Sequence, residues 1–80
     1  MILRPIATEK AVMMIESENI VTFSTDLKEG KDSIKAEVEE MFGVKVDKVR
    51  TMRKKNKKYA YVKLSKDNPA IDVAGKLGLM

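Results

Sequence analysis

The apolar positions of the chain recur with helical spacing in some segments and with strand spacing in others. The most regular helix is predicted over residues 31–42, and Gly43 suits its C-terminal end. Its apolar face consists of residues spaced i, i+4, i+7 and i+8, namely Ile34, Val38, Met41 and Phe42. An earlier helix is predicted from Thr8, a suitable N-cap, to about Ser17.

Three segments are rich in β-branched and aromatic residues and therefore predict strands. Residues 20–25 form the first of them. Residues 44–53 and 59–64 form the other two, and the short polar turn 54–58 between them predicts a β-hairpin. In the last strand, alternation places Ala60, Val62 and Leu64 on one face and Tyr59, Tyr61 and Lys63 on the other.

The two ends of the chain complete the order β-α-β-α-β-β-α. Residues 1–4 favour a short strand stopped by Pro5. A last helix is predicted after Asn68, with Asn68 as its cap, Pro69 in the first helical position and an end near Leu77. Helices so few and short must bury their apolar faces on one sheet. We therefore predict a single α+β domain over residues 1–80, with helices packed on a mostly antiparallel four-stranded sheet.

The composition excludes several classes of function. The chain has no cysteine and no histidine, which removes thiol nucleophiles, disulfides, Cys/His metal sites and the usual general base. We expect no enzymatic activity, cofactor, metal or small-molecule substrate. The longest apolar runs are too short to span a bilayer, and the N-terminus lacks a signal-peptide pattern, so we expect a cytoplasmic protein without membrane insertion.

Charge is distributed very unevenly along the chain. The net charge is +4, but residues 45–66 carry +9 and residues 1–44 carry −4. The turn 54–58 alone holds four lysines, and cations of this kind neutralise phosphates and release their counterions. The alternative is a solvated edge strand protected from aggregation by lysine, but so much like charge exceeds what solubility needs. The hairpin therefore predicts a polyanion partner, recognised through its backbone more than its bases.

Acidic residues cluster on both predicted helices. They are Glu9, Glu16 and Glu18 on the first helix and Glu37, Glu39 and Glu40 on the second. Paired carboxylates can perform acid–base chemistry, but no histidine, cysteine or Gly-rich phosphate loop supports them here. We interpret them as solvated helix faces, with a protein-docking surface as the remaining functional option.

Three segments resemble the large-subunit ribosomal protein 23 family. They are residues 4–11 (RPIATEKA), residues 49–52 (VRTM) followed by 57–64 (KKYAYVKL), and residues 71–78 (IDVAGKLG). The likeness implies an α/β sandwich on an antiparallel sheet. It also implies binding to large-subunit ribosomal RNA beside the nascent-chain tunnel exit, next to other ribosomal proteins. It further implies a docking platform for the signal recognition particle or nascent-chain chaperones.

The resemblance and the charge pattern together select the candidate site residues. The expected RNA contacts are Arg4, Arg50, Thr51, Arg53, Lys54, Lys55, Lys57 and Lys58. In bacterial members the glutamate of a Thr/Ser-Glu-Lys motif takes part in docking, and it matches Glu9 here. Glu16 is the second expected docking residue.

Two departures from the family pattern shape these expectations. Arg50 stands where the family often has asparagine, so a phosphate contact is expected in place of a specific polar one. The turn 54–58 lacks the long tunnel-lining extension of bacterial members, and no basic N-terminal extension is present. The chain therefore resembles the compact archaeal form.

Two rival functions stay open at this point. The first is a free-standing basic regulator that binds nucleic acid. The second is a small hydrolase of the phosphate or acyl-phosphate class, which ranks last because no Gly-rich loop opens a helix to form an anion cradle.

Overall fold

A computed structural model describes residues 4–6, 8–25 and 30–78. Its elements follow the predicted order β-α-β-α-β-β-α. They are β1 (Arg4–Pro5), α1 (Glu9–Glu18), β2 (Ile20–Thr25), α2 (Lys31–Phe42), β3 (Val46–Lys54), β4 (Lys57–Leu64) and α3 (Ala70–Lys76). The four strands form one antiparallel sheet in the order β1-β2-β4-β3, which confirms the predicted α+β fold.

The strand register divides the sheet into two faces of different character. Residues paired directly across strands share a face. Val21, Val62 and Val49 form one buried row, and Phe23 and Ala60 begin the next. We call this side the core face. The opposite side, the open face, carries Arg4, Ile20, Thr22, Ser24, Lys48, Arg50, Met52, Lys54, Lys57, Tyr59, Tyr61 and Lys63.

The helices bury their apolar sides against the core face. Helix α2 packs on β3 and β4, and α1 packs beside β2 and α3. The rings of Phe23 and Phe42 stack with centroids 6.2 Å apart, so α2 is fastened over the centre of the sheet. The buried core comprises Ile15, Val21, Phe23, Ile34, Val38, Val46, Val49, Ala60, Val62, Leu64, Ala70, Val73 and Ala74.

The ends of α1 and α2 follow the signals in the sequence. The Thr8 hydroxyl accepts a hydrogen bond from the Ala11 N–H at 3.2 Å, which confirms the predicted N-cap. Gly43 closes α2 in the left-handed region, with φ 61°, and its N–H donates to the Glu39 carbonyl at 3.0 Å.

The first and last elements differ from their predictions. Pro5 was expected to stop the first strand, but it lies in β1 opposite Phe23, at an edge where a missing N–H is tolerated. The rest of the predicted first strand, residues 1–3, and most of the turn at 26–30 lie outside the described residues. At α3 the N-cap position is Pro69 and not Asn68, and the first N–H of the helix, that of Ala70, donates to the Asn19 side chain instead.

The hairpin turn is shorter than predicted. Only Lys55 and Asn56 lie between β3 and β4, and Lys54 pairs directly with Lys57. Both turn residues have positive φ, 49° and 62°, as a two-residue type I′ hairpin requires. The basic segment is therefore strand almost to its tip, which holds alternate cations on defined faces.

Asn19 connects three parts of the fold. It ends α1 in the left-handed region, with φ 58°. Its side-chain NH₂ donates to the Leu64 and Ser65 carbonyls at 3.1 Å each and lies 3.3 Å from the Asn68 carbonyl. Its Oδ1 accepts from the Ala70 N–H at 2.6 Å, so it caps the start of α3 from across the chain. The end of α1, the end of β4 and the beginning of α3 thus meet at one side chain.

Loss of the Asn19 side chain should destabilise the whole fold. We expect Asn19→Gly, which keeps the left-handed backbone, to lower the free energy of unfolding by about 2–4 kcal/mol through lost hydrogen bonds. Asn19→Ala should cost about 1 kcal/mol more because it adds left-handed strain. Thermal melting followed by circular dichroism measures both. Asn56 is the matched control, since it is also left-handed but exposed in a turn. Equal losses for Asn19→Gly and Asn56→Gly would contradict this role.

Candidate nucleic-acid interface

The open face presents cations in rows across the hairpin. Lys48 lies opposite Lys63, and Lys54 lies opposite Lys57. All four are exposed. Like charges placed directly opposite across strands repel each other and destabilise the pair, while they concentrate positive potential on one surface. This arrangement favours an anionic partner that covers the face.

Aromatic side chains lie between these cationic rows. Arg50 pairs with Tyr61, and Met52 pairs with Tyr59. Both tyrosines are half-buried, so each ring packs on the sheet with part of its surface accessible. Arg4, on β1, lies opposite Ser24 and so shares the row of Tyr59. The open face thus combines cations with aromatic surface, the two components of single-strand binding sites.

Helix α1 overhangs the open face and forms a cleft with it. Three adjoining cavities share lining residues and run along this junction, lined from α1 by Lys10, Met14, Ser17 and Glu18. The sheet side is lined by Ile20, Thr22, Lys48, Arg50, Met52, Lys54, Tyr59, Tyr61 and Lys63. We call this groove the α1 cleft. One wall is therefore helical and the other is the open face.

The structure brings together only part of the predicted RNA-binding set. Arg4, Arg50, Lys54 and Lys57 share the open face. Lys55 lies in the turn at the hairpin tip. These five residues can meet a single extended partner from one side.

The other three candidates lie on the opposite side of the hairpin. Thr51 pairs with Ala60 on the core face and is half-buried. Arg53 pairs with Lys58 in the next row toward the tip. Arg53 is exposed, so cations at the tip project to both sides of the sheet. A partner on the open face alone would not reach Thr51.

Sequence reasoning omitted two cations that the structure adds to the site. Lys48 and Lys63 are exposed, pair across the hairpin and line the α1 cleft. The alternation in the last strand already grouped Lys63 with the tyrosines, which was the available signal. Lys48 was harder to place, because a bulge between Val46 and Lys48 shifts the alternation of β3.

The acidic candidates on α1 occupy different positions. Glu9, Met13 and Glu16 are exposed and spaced i, i+4 and i+7, so they share a side of the helix that faces away from the core. We call these three residues the α1 outer surface. Glu16 also lines the α1 cleft near Lys48 and Arg50, so it borders the basic face, whereas Glu9 lines none of the three cavities.

Glu39 is a structural residue and not part of a solvated helix face. It is half-buried, and its Oε2 accepts a hydrogen bond from the Val46 N–H at 3.0 Å. This contact satisfies the first backbone donor of β3 from α2. The prediction that all the glutamates on α2 are solvated is therefore wrong for Glu39.

Residues 4–6, 8–25 and 30–78 contain no group of three or more acidic side chains arranged to hold a metal ion. Among the helices described there, none is long and apolar enough to cross a membrane.

A family model and a known protein each match most of the chain. The family model described as Ribosomal protein L23 matches residues 1–71. The large ribosomal subunit protein uL23 of Picrophilus torridus is 49% identical to this chain over 78 residues. That alignment covers 98% of this chain and 95% of the relative.

The like-charge rows should reduce the stability of the free protein. We expect Lys57→Glu, which replaces the repulsive Lys54–Lys57 pair by an attractive one, to raise the melting temperature by about 1–5 °C at low salt. The gain should shrink in about 1 M salt, where charges are screened. Lys66→Glu, in the exposed loop after β4, makes the same change of net charge and is the control. An equal gain for Lys66→Glu would show that net charge, not cross-strand pairing, is responsible.

Proposed function

Because the chain belongs to the ribosomal protein L23 family, we propose that it binds large-subunit ribosomal RNA through the open face and the hairpin tip. Its role in the large ribosomal subunit is structural, and its family is not known for enzymatic activity. We further propose that it lies beside the nascent-chain tunnel exit of cytoplasmic ribosomes, next to other ribosomal proteins. This placement rests on the resemblance to the family.

The position of the cations within the sheet is the observation that carries the RNA-binding proposal. Lysine on an edge strand commonly prevents edge-to-edge aggregation. Strand β4, however, lies between β2 and β3, and its Lys63, on the open face, is paired on both sides, with Ile20 and with Lys48. Edge protection does not explain cations on an inner strand. A bound polyanion does, because it offsets their repulsion.

The turn supports the same proposal. Lys55 has φ 49°, in a region that a lysine adopts at a cost and that glycine or asparagine would occupy more easily. A hairpin selected for stability alone would carry one of those residues. A cation at this strained position is consistent with a phosphate contact at the tip.

Removal of open-face charge should weaken RNA binding and its dependence on salt. We expect the double variant Lys54→Gln, Lys57→Gln to lower affinity for large-subunit ribosomal RNA of the source organism. The slope of log affinity against log salt should fall by about 1.4–1.8, the effect of two lost phosphate contacts. Filter binding across a salt series measures both. The pair Lys31→Gln, Lys35→Gln on α2 removes the same charge and should leave the slope unchanged.

Two results would contradict the RNA-binding proposal. Equal effects of the two double variants would show that net charge alone determines binding. In sucrose gradients of cell extract, a ribosomal protein travels with the large subunit. A free-standing regulator, the rival function, would stay near the top.

A second, separate surface favours a docking role for α1. The α1 outer surface presents carboxylates on each side of an exposed methionine, Met13, which is 60% exposed. Methionine adapts its shape to different partners, and flanking charges orient them. We propose that this surface contacts the signal recognition particle or a nascent-chain chaperone, with Glu9 better separated from the RNA-binding face than Glu16.

Neutralisation of Glu9 should weaken the proposed protein docking without affecting the proposed RNA binding. We expect Glu9→Gln to reduce cosedimentation of the signal recognition particle with ribosomes by roughly fivefold, the effect of about 1 kcal/mol. Incorporation of the variant into large subunits should not change. Glu40→Gln, an exposed carboxylate on α2, is the control. Parallel loss of docking and incorporation would show that the two surfaces are not independent.

A further inference from the structure

The end of the α1 cleft nearest the hairpin tip has its own composition. Its cavity, of about 380 Å³, is lined by the apolar or aromatic side chains of Met14, Met52, Tyr59 and Tyr61. Lys10 and Lys54 are the charged residues lining it. Glu16 lines the opposite end of the cleft, and Glu18 lines that end and the adjoining middle cavity. Among the described residues that line this end, the charged ones are cations, and they surround an apolar interior.

A buried hydroxyl without a partner lies among these residues. Thr22 lines the same cavity and is 4% exposed. Its backbone carbonyl accepts from the Ile6 N–H at 3.0 Å, but its Oγ1 has no hydrogen-bond partner within residues 4–6, 8–25 and 30–78. Buried hydroxyls in folded proteins are nearly always hydrogen-bonded, so an unpaired one beside a cavity indicates a missing polar partner.

Resting on the function proposed above, we propose that this end of the α1 cleft receives one unpaired base of the bound RNA. An aromatic base stacks on tyrosine rings, and its polar edge can supply the partner that Thr22 lacks. Lys10 and Lys54 lie where they can neutralise the phosphates on either side of that nucleotide. The cavity lies in the size range of small-ligand sites and suits a single base better than a helical segment.

Charge selects a base over the alternative occupant, an apolar side chain of a docking protein. An apolar side chain would leave two lysines and a hydroxyl unpaired at the rim and floor. It would also have to approach across the cationic open face. A nucleotide brings its own negative charge and pairs all three groups.

Filling the cavity should weaken RNA binding without altering phosphate contacts. We expect Met14→Trp to lower affinity for large-subunit ribosomal RNA roughly tenfold, in line with loss of one stacked base, with an unchanged salt slope. Met41→Trp makes the same change at an exposed methionine of α2, which lines none of the three cavities, and should stay within about twofold of the parent. Melting curves establish that both variants fold. If Met14→Trp does not fold, Tyr61→Leu removes the stacking surface instead, with the same expected loss.

Chemical probing identifies the occupant directly. Dimethyl sulfate modifies the Watson–Crick edge of unpaired adenine and cytosine, so a base in the cleft should be protected in the parent complex and exposed with Met14→Trp. Retained affinity and unchanged protection with Met14→Trp would overturn the base site and leave phosphate binding intact. If the parent protein itself did not bind large-subunit ribosomal RNA, the RNA-binding proposal would be contradicted, independently of the base site. If Met14→Trp reduced only recruitment of the signal recognition particle, the cleft would hold a protein side chain and the base site would be overturned.

Discussion

The hydrogen bonds of Asn19 hold the helices and the sheet in their relative positions. One side chain binds the carbonyls at the end of β4 and caps α3, while its left-handed backbone turns the chain from α1 into β2. Helix α1 has only Ala11 and Ile15 buried, too little apolar surface to fix its angle alone. The angle of α1 over the sheet therefore depends on its two ends, the Thr8 cap and Asn19. The width of the α1 cleft depends on the same two residues, so the stability of the fold and the shape of the candidate site have a common origin.

The allocation of the two sheet faces follows from the small size of the chain. Eighty residues supply enough apolar side chains to cover one face, and all the helices contribute to that side. The other face is then left in contact with water, and polar residues would be enough to keep it soluble. It instead carries opposed lysines, whose mutual repulsion lowers the stability of the isolated protein, beside half-buried tyrosines. A partner that binds only the folded state offsets this loss of stability, because its binding free energy adds to the free energy of folding. The isolated chain is thus less stable than its core would allow, and binding of RNA at this face, as proposed above, would recover the difference.

Periodicity predicted the helices and the hairpin well because each helix and each of strands β3 and β4 buries one face, unlike β2, where Val21, Thr22 and Phe23 are all buried. The stripe of α2 and the alternation of β4 both agree with the buried residues observed. Three features could not be read from local pattern. The bulge before Lys48 shifts the inward and outward alternation of side chains in β3, and no glycine at that point of the sequence indicates a bulge. The side chain that caps the Ala70 N–H at the start of α3 belongs to Asn19, 51 positions before Ala70 in the chain. Capping signals read from neighbouring residues therefore predicted Asn68 instead. The α1 cleft joins residues of α1 to residues of β3 and β4, and such a juxtaposition depends on tertiary packing that spacing does not reveal.

Helix α1 separates the surfaces proposed for two partners only by the directions in which its side chains point. Successive residues of an α-helix differ by about 100° around the axis, so Met13 and Met14 point in different directions. Met14 enters the cleft with Lys10, while Met13 lies outward between Glu9 and Glu16, and Ala11 and Ile15 hold the third side against the protein. A ligand in the cleft would contact Lys10 and Met14 and so restrain the helix. The outer surface is then presented on a rigid element, which lowers the entropic cost of docking. On the proposals above, RNA in the cleft and a protein on the outer surface would bind different sides of one helix, so each would favour the other without a change of conformation.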